Sequence, residues 1–210
     1  MRVASCTLAA LVLVAAACSA RTIEFQGQEG PSGLELARST GSEVEVLFAL
    51  DQIDVEDVVV DGVTMQQISI PGVTLPGDEG APNLPGFGRF IALPEGAVPR
   101  LEIVSMTTEL LTGIDVLPAP PMPFENDDSP LVYEKDAAIY SVDAPYPAEP
   151  VKLSEVRSMR GVDVIVLGIT PFQYNPVTRE LTVITGVQLR VNFEGGTGHF
   201  GDDRLRSRDW

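Results

Sequence analysis

Val187-Gln188-Leu189-Arg190-Val191-Asn192-Phe193 alternates without a break, apolar at the odd positions and polar at the even ones. Successive side chains of a strand point to opposite faces, so this period of two predicts a β-strand with one face in a core and the other in solvent. Upstream, Val162-Asp163-Val164-Ile165-Val166-Leu167-Gly168-Ile169 is nearly all apolar, as expected of a central strand covered on both faces. Between the two, Tyr174 to Leu181 reads as a turn started by Asn175-Pro176. Glu43 to Leu50 carries Val44, Val46, Phe48 and Leu50 on one face. Val58-Val59-Val60 meets Val63-Thr64-Met65 across Asp61-Gly62, a pair that accepts the positive φ values of a type I′ hairpin turn. Arg89 to Leu93 makes a short strand between Gly88 and Pro94, and Leu101 to Thr107 alternates in part. No stretch sustains a 3.6-residue period. The fold class read from this pattern is all-β: an antiparallel β-sandwich, jelly-roll or Ig-like, with a long Pro-rich loop.

That loop is the break in the rhythm. Residues 118–150 hold eight of the 17 prolines, including Pro118-Ala119-Pro120-Pro121-Met122-Pro123. Proline removes a ladder donor and fixes φ, so the stretch reads as an extended surface excursion, with a short strand around Ala138 to Ser141. Long loops inside compact domains often carry function.

The chain ends frame the domain. Arg2, the apolar run Leu8 to Val14 and the small residues Ala15 to Ala20 form a secretory signal over residues 1–20, too short to cross a bilayer comfortably. Cleavage after Ala17 or after Ala20 both suit it. Ala15-Ala16-Ala17-Cys18 also resembles a lipoprotein box, and lipid on Cys18 would place the protein on a membrane. The location read is secreted or cell envelope. Both cysteines, Cys6 and Cys18, lie in the leader, so no disulfide or thiolate site remains after it. Residues 21–42 read as a flexible lead-in rich in Gly, Ser and Glu, residues 43–196 as the sandwich, and residues 197–210 as a glycine-rich linker with an arginine-rich tail. With 14 Lys and Arg against 30 Asp and Glu, the net charge is −16, which repels phosphate backbones and anionic lipid. Nucleic acid is excluded as a partner on that ground, and a membrane enters only through lipidated Cys18.

Catalytic inventories come out empty. Nucleophilic triads need a base beside a nucleophile, and the single His, His199, sits in Gly195-Gly196-Thr197-Gly198-His199-Phe200-Gly201. One His does not make a zinc hydrolase site either. No cofactor is called for. A structural calcium ion would need the carboxylates of Asp51, Asp54, Glu56 and Asp57, or of Glu125, Asp127 and Asp128, and neither group follows EF-hand spacing. Pro85-Gly86-Phe87-Gly88-Arg89 lacks the strand–loop–helix context of a phosphate loop. The pointed signal is Arg204-Leu205-Arg206-Ser207-Arg208, three arginines in five positions of an acidic chain. It reads either as a processing site for an Arg-specific protease at Arg204, Arg206 or Arg208, or as a solubilising tail.

Two segments carry a resemblance. Leu75-Pro76-Gly77-Asp78-Glu79-Gly80-Ala81-Pro82-Asn83-Leu84-Pro85 runs into Arg89-Phe90-Ile91-Ala92-Leu93-Pro94-Glu95-Gly96-Ala97, and Arg160-Gly161-Val162 continues to Gly168-Ile169-Thr170-Pro171-Phe172-Gln173-Tyr174-Asn175-Pro176. Together they resemble the N-terminal propeptide of gingipain-type cysteine endopeptidases. The resemblance implies a β-sandwich prodomain that helps a caspase-like protease domain to fold and blocks its cleft until it is cut away after a basic residue. The implied partner is a gingipain-like catalytic domain, in cis or in trans, and its His/Cys dyad is absent from these 210 residues. On that basis an extended segment would lie along the cleft with a basic side chain in the first specificity pocket. Lys135 is the candidate plug from the Pro-rich excursion, Arg157 and Arg160 are the alternatives, and a plain surface Lys paired to Glu134 or Asp136 is the simpler reading of Lys135. The other function class that fits is an exported or lipid-anchored β-sandwich binding module for glycans or surface proteins.

Overall fold

The structure, a computed structural model, describes residues 19–26, 32–73, 77–122 and 129–201. Twelve strands and one short helix follow in the order β1 (Ala20–Glu24), β2 (Gly33–Ser39), β3 (Glu43–Ala49), β4 (Gln52–Val60), β5 (Val63–Ser69), β6 (Phe87–Leu93), β7 (Ala97–Thr112), α1 (Ala137–Tyr140), β8 (Val151–Leu153), β9 (Arg157–Met159), β10 (Val162–Ile169), β11 (Phe172–Asn175) and β12 (Glu180–Gly195). All strand pairs between these elements are antiparallel. The all-β, sandwich-like reading holds.

The alternating stretch that opened the sequence lies in β12, which runs 16 residues. One of its edges pairs with β7 from end to end; the other pairs with β11 over its first turns of chain and with β3 over the rest. β2 completes this five-stranded sheet beside β3. A second sheet places β10 between β6 on one side and β8 and β9 on the other. A three-stranded sheet, β1-β4-β5, adds the predicted hairpin: Val60 opposes Val63, and Asp61 and Gly62 take φ of 50° and 81°.

One hydrophobic cluster joins the three sheets. Leu181, Val183, Ile184, Leu189 and Val191 of β12 are fully covered, as are Leu93, Leu167, Phe172 and Tyr174. Phe48 of β3 meets Phe87 of β6 edge to face at 5.2 Å, which stitches the first sheet to the second. On the solvent face Arg190 spans three strands, reaching Glu45 at 2.9 Å, Glu102 at 3.3 Å and Glu43 at 3.7 Å. Its pKa is raised first of all by the hydrogen bonds it donates to Glu45.

Three expectations need correction. Within the stretch 21–42 expected to be a flexible lead-in, the described residues include two strands: β1 pairs with β4 and β2 pairs with β3. Their composition hides the strands because β2 is an edge strand with five of seven residues exposed, so it needs no apolar alternation. The strand expected at Ala138 to Ser141 is the helix α1, started by Asp136, whose carboxylate accepts from the Ala138 N–H at 2.8 Å. Residues 197–199 do not form a loose linker, since Glu95 N–H donates to His199 O at 2.8 Å and Thr197 N–H to Glu95 O at 3.0 Å. The signal segment up to Cys18 and the arginines 204, 206 and 208 lie outside the described residues.

Leu189 lies on the strand shared by both halves of the first sheet and is fully buried. Leu189→Ala is expected to cost about 2–5 kcal/mol, read as a fall in the urea unfolding midpoint with unchanged slope.

Candidate functional site

The Pro-rich excursion is tied down at three places rather than floating over the surface. At its start Ala119 exchanges hydrogen bonds with the 80–81 turn: its N–H donates to Ala81 O at 2.7 Å and its carbonyl accepts from Gly80 N–H at 2.9 Å. Leu117 and Ala119 are buried there, so the entry to the excursion belongs to the core. Further on, Asp136 N–H donates to Gly80 O at 2.9 Å. Gly80 sits at φ +76°, and a Cβ on it would lie 3.3 Å from Glu134 O. Glycine is needed at that crossing for both reasons. At the far end Tyr146 and Tyr174 exchange N–H···O bonds of 2.8 Å, adding the returning chain to β11.

Beneath these ties lies a carboxylate that the sequence reading passed over. Asp115 is 8% exposed. Its Oδ1 holds Lys135 Nζ at 2.7 Å and its Oδ2 lies 3.8 Å from Arg179 Nη2. Gln66 clasps the Asp115 backbone, its N–H donating to Asp115 O and its Oε1 accepting from Asp115 N–H, both at 2.7 Å. Lys135 Nζ stands 4.8 Å above the Tyr140 ring, and the Tyr140 hydroxyl donates to Val116 O at 2.9 Å. Tyr140 and Tyr174 pack edge to face at 6.4 Å. The signal for this cluster was legible as a lone acid inside the apolar run Ile114-Asp115-Val116-Leu117, because a carboxylate there must find cations. Lys135 is therefore paired, and its partner is Asp115 rather than Glu134 or Asp136.

The two alternative basic residues lie in a different place. β9 is exposed throughout, and its pairing with β10 leaves its other edge without a strand among the described residues. Arg157 sits on this extended segment. Arg160 and Gly161 form the two-residue turn between Met159 and Val162, at φ 52° and 78°. Among the described residues neither guanidinium meets a carboxylate within ion-pair distance.

The acidic groups serve as local acceptors. Asp51 accepts from Ser32, Asp54 from Thr22 at 2.6 Å, and Asp57 from Gln66 Nε2 at 2.8 Å. Among the described residues no three His, Cys, Asp or Glu side chains converge on a metal-sized point. The second acidic group, Glu125 to Asp128, falls outside the described residues. His199 is exposed.

The family model described as Propeptide_C25 matches residues 26–201. Lys-gingipain of Porphyromonas gingivalis is 30% identical over 156 residues, which is 70% of this chain and 9% of that protein. Gingipain R2 of the same organism is 32% identical over 154 residues, 70% of this chain and 20% of its own length. The chain thus spans a fifth or less of these relatives. A chain solved in work on the zymogenic latency of gingipain K from Porphyromonas gingivalis superposes with a TM-score of 0.69 at 25% identity, covering 85% of this chain and 100% of that one. A chain from a complex of Porphyromonas gingivalis RgpB pro- and mature domains shares the fold, with a TM-score of 0.72 at 23% identity over 81% of this chain and 90% of its own.

The buried tyrosines set a pH limit on this arrangement. Burial first and the Asp115 charge second push the Tyr174 phenol up to about 12 from its usual 10. Burial likewise raises Tyr140, with the Tyr174 and Asp115 charges adding to it, and burial together with Asp78 raises Tyr146. Their native pKa values exceed the unfolded one, so the folded state retains protons that the unfolded chain releases above pH 10. Stability is expected to be flat below pH 10 on this account and to fall between pH 10 and about 12. Urea titrations across that range, paired with tyrosinate absorbance, check it; Tyr174→Phe is expected to shallow the decline.

Proposed function

Because the chain belongs to the Propeptide_C25 family, we propose that it is the prodomain of a secreted, gingipain-like cysteine endopeptidase precursor. It assists folding of that enzyme and blocks its cleft until it is cut away. The observation that carries this reading is the family match itself, which runs from residue 26 to 201 and so takes in every strand from β2 to β12. The gingipain relatives support an exported location, in the medium or the cell envelope, in keeping with the leader-like first twenty residues. The cleavage position in this reading is the arginine-rich tail, at Arg204, Arg206 or Arg208.

The mode of blocking is product-like occupation of the cleft by an extended strand, with a basic side chain in the first specificity pocket. Proteases bind their substrates as added strands, so the inhibitory segment must be extended, exposed at one edge and basic. β9 meets all three conditions through Arg157. Arg160 supplies the charge but not the conformation, since its φ of 52° belongs to a turn. Lys135 retains 36% side-chain exposure, yet binding a protease through its ammonium would first break the 2.7 Å contact with Asp115. That makes Arg157 the first candidate and Lys135 the second.

The test is inhibition, in trans, of a gingipain-like catalytic domain by the isolated chain. Arg157→Ala is expected to weaken inhibition by at least about thirty-fold, the scale of an interface hot spot, with thermal stability unchanged. Arg160→Ala is expected to change it little. A Lys135→Ala variant that loses inhibition while Arg157→Ala keeps it would move the plug to the excursion. Absence of inhibition by the parent chain would overturn the reading.

A further inference from the structure

Among the described residues the longest free strand edge is that of β7. It pairs with β12 along one side over residues 97–112, and no strand pairs with its other side among the described residues. Free edges of this length are templates for strand addition, and natural proteins usually blunt them with lysines, prolines or covering loops. β7 contains no lysine, one proline near its start (Pro99), and a bulge at Val104, where Gln188 opposes Ser105 and Leu189 opposes Ile103. Its inward face is not covered either. Ile103 and Met106 share the side of Leu189 and Val187, which are buried, yet Ile103 is 47% and Met106 37% exposed. The second sheet stops short of this edge.

We propose that β7 pairs antiparallel with β7 of a second copy of this chain, joining the two five-stranded sheets across a two-fold axis. A two-fold pairing requires that residue i oppose j and j oppose i, so the strand must complement its own reverse. β7 does so in one register, centred between Val104 and Ser105. There Arg100 of one copy faces Glu109 of the other, and Ile103 faces Met106. The faces agree as well as the positions. Arg100 and Glu109 oppose Asn192 and Val183 of β12 on one side of the sheet, while Ile103 and Met106 oppose Leu189 and Val187 on the other. The bulge at Val104 is what brings residues of odd and even number onto the same face. Arg100 uses Nε for Glu194 at 3.0 Å, which leaves its two terminal nitrogens for Glu109 of the second copy. Pro99 lies outside the central register, where its missing N–H does least harm.

The net charge of −16 opposes association at long range, so the measurement belongs at physiological salt, where that repulsion is screened. Sedimentation equilibrium of the full chain is expected to show a monomer–dimer equilibrium. Met106→Pro, which removes a donor on the free side of the strand beside the centre of the register, is expected to abolish the dimer. If that variant unfolds, the charge pair decides independently: Arg100→Glu is expected to weaken the dimer at least tenfold, and adding Glu109→Arg is expected to restore it. A chain that stays monomeric into the high micromolar range overturns the proposal. So does a dimer indifferent to the charge pair, or a β7 edge that is protected from hydrogen exchange only when a protease domain is added.

Discussion

Everything in this fold hangs on the double pairing of β12. A strand of 16 residues with partners on both edges has its backbone donors and acceptors met on either side, and it gives β3, β7 and β11 a common template. Its side chains then set the layers. The alternating half, Val187 to Phe193, presents one apolar face to the second sheet and one polar face to solvent. In the earlier half, Val183 to Thr185 are buried on consecutive residues, because a register shift between Ile184 and Gly186 turns the strand and other parts of the chain cover both its faces. Arg190 secures the solvent side by drawing glutamates from both neighbouring strands to one guanidinium, an arrangement whose planar fork suits several carboxylates at once.

The second constraint is electrostatic. A buried Asp115 cannot stand alone, and the fold answers it with Lys135 from the excursion and Arg179 from the turn before β12. Three segments far apart in sequence are thereby held at one point, with Gln66 adding the β5 strand through backbone hydrogen bonds. The proline-rich stretch has few donors of its own with which to join a sheet. It is fixed instead by these few polar contacts and by the tyrosines packed beside them. The sandwich is the frame, and it leaves two strand edges exposed: that of β9 with Arg157 on the second sheet and that of β7 on the first.

The local patterns read from the chain map closely onto the strands. Period-two alternation located β3 and β12, Asp61-Gly62 located the β4–β5 turn, and Asn175-Pro176 located the turn between β11 and β12. Where the local signal was weak, the reading failed in consistent ways. β1 and β2 lack apolar alternation because edge strands take their stability from hydrogen bonds to β4 and β3 and expose most side chains. The helix at Ala137–Tyr140 is a single turn decided by one capping carboxylate, too short for any periodicity.

By itself, then, the sequence determined the fold class, the positions of the well-alternating strands, and the resemblance that led to the family. These depend on residue types and their spacing, which are local. Only the tertiary structure decided which cation answers Asp115 and which basic residue stands on an extended, open edge. The same is true of how far the second sheet reaches over β7. The Asp115 contacts and the reach of the second sheet join chain segments separated by twenty residues or more, and the open side of β9 is set by which strands pack beside its local hairpin, so the packed core fixes all three.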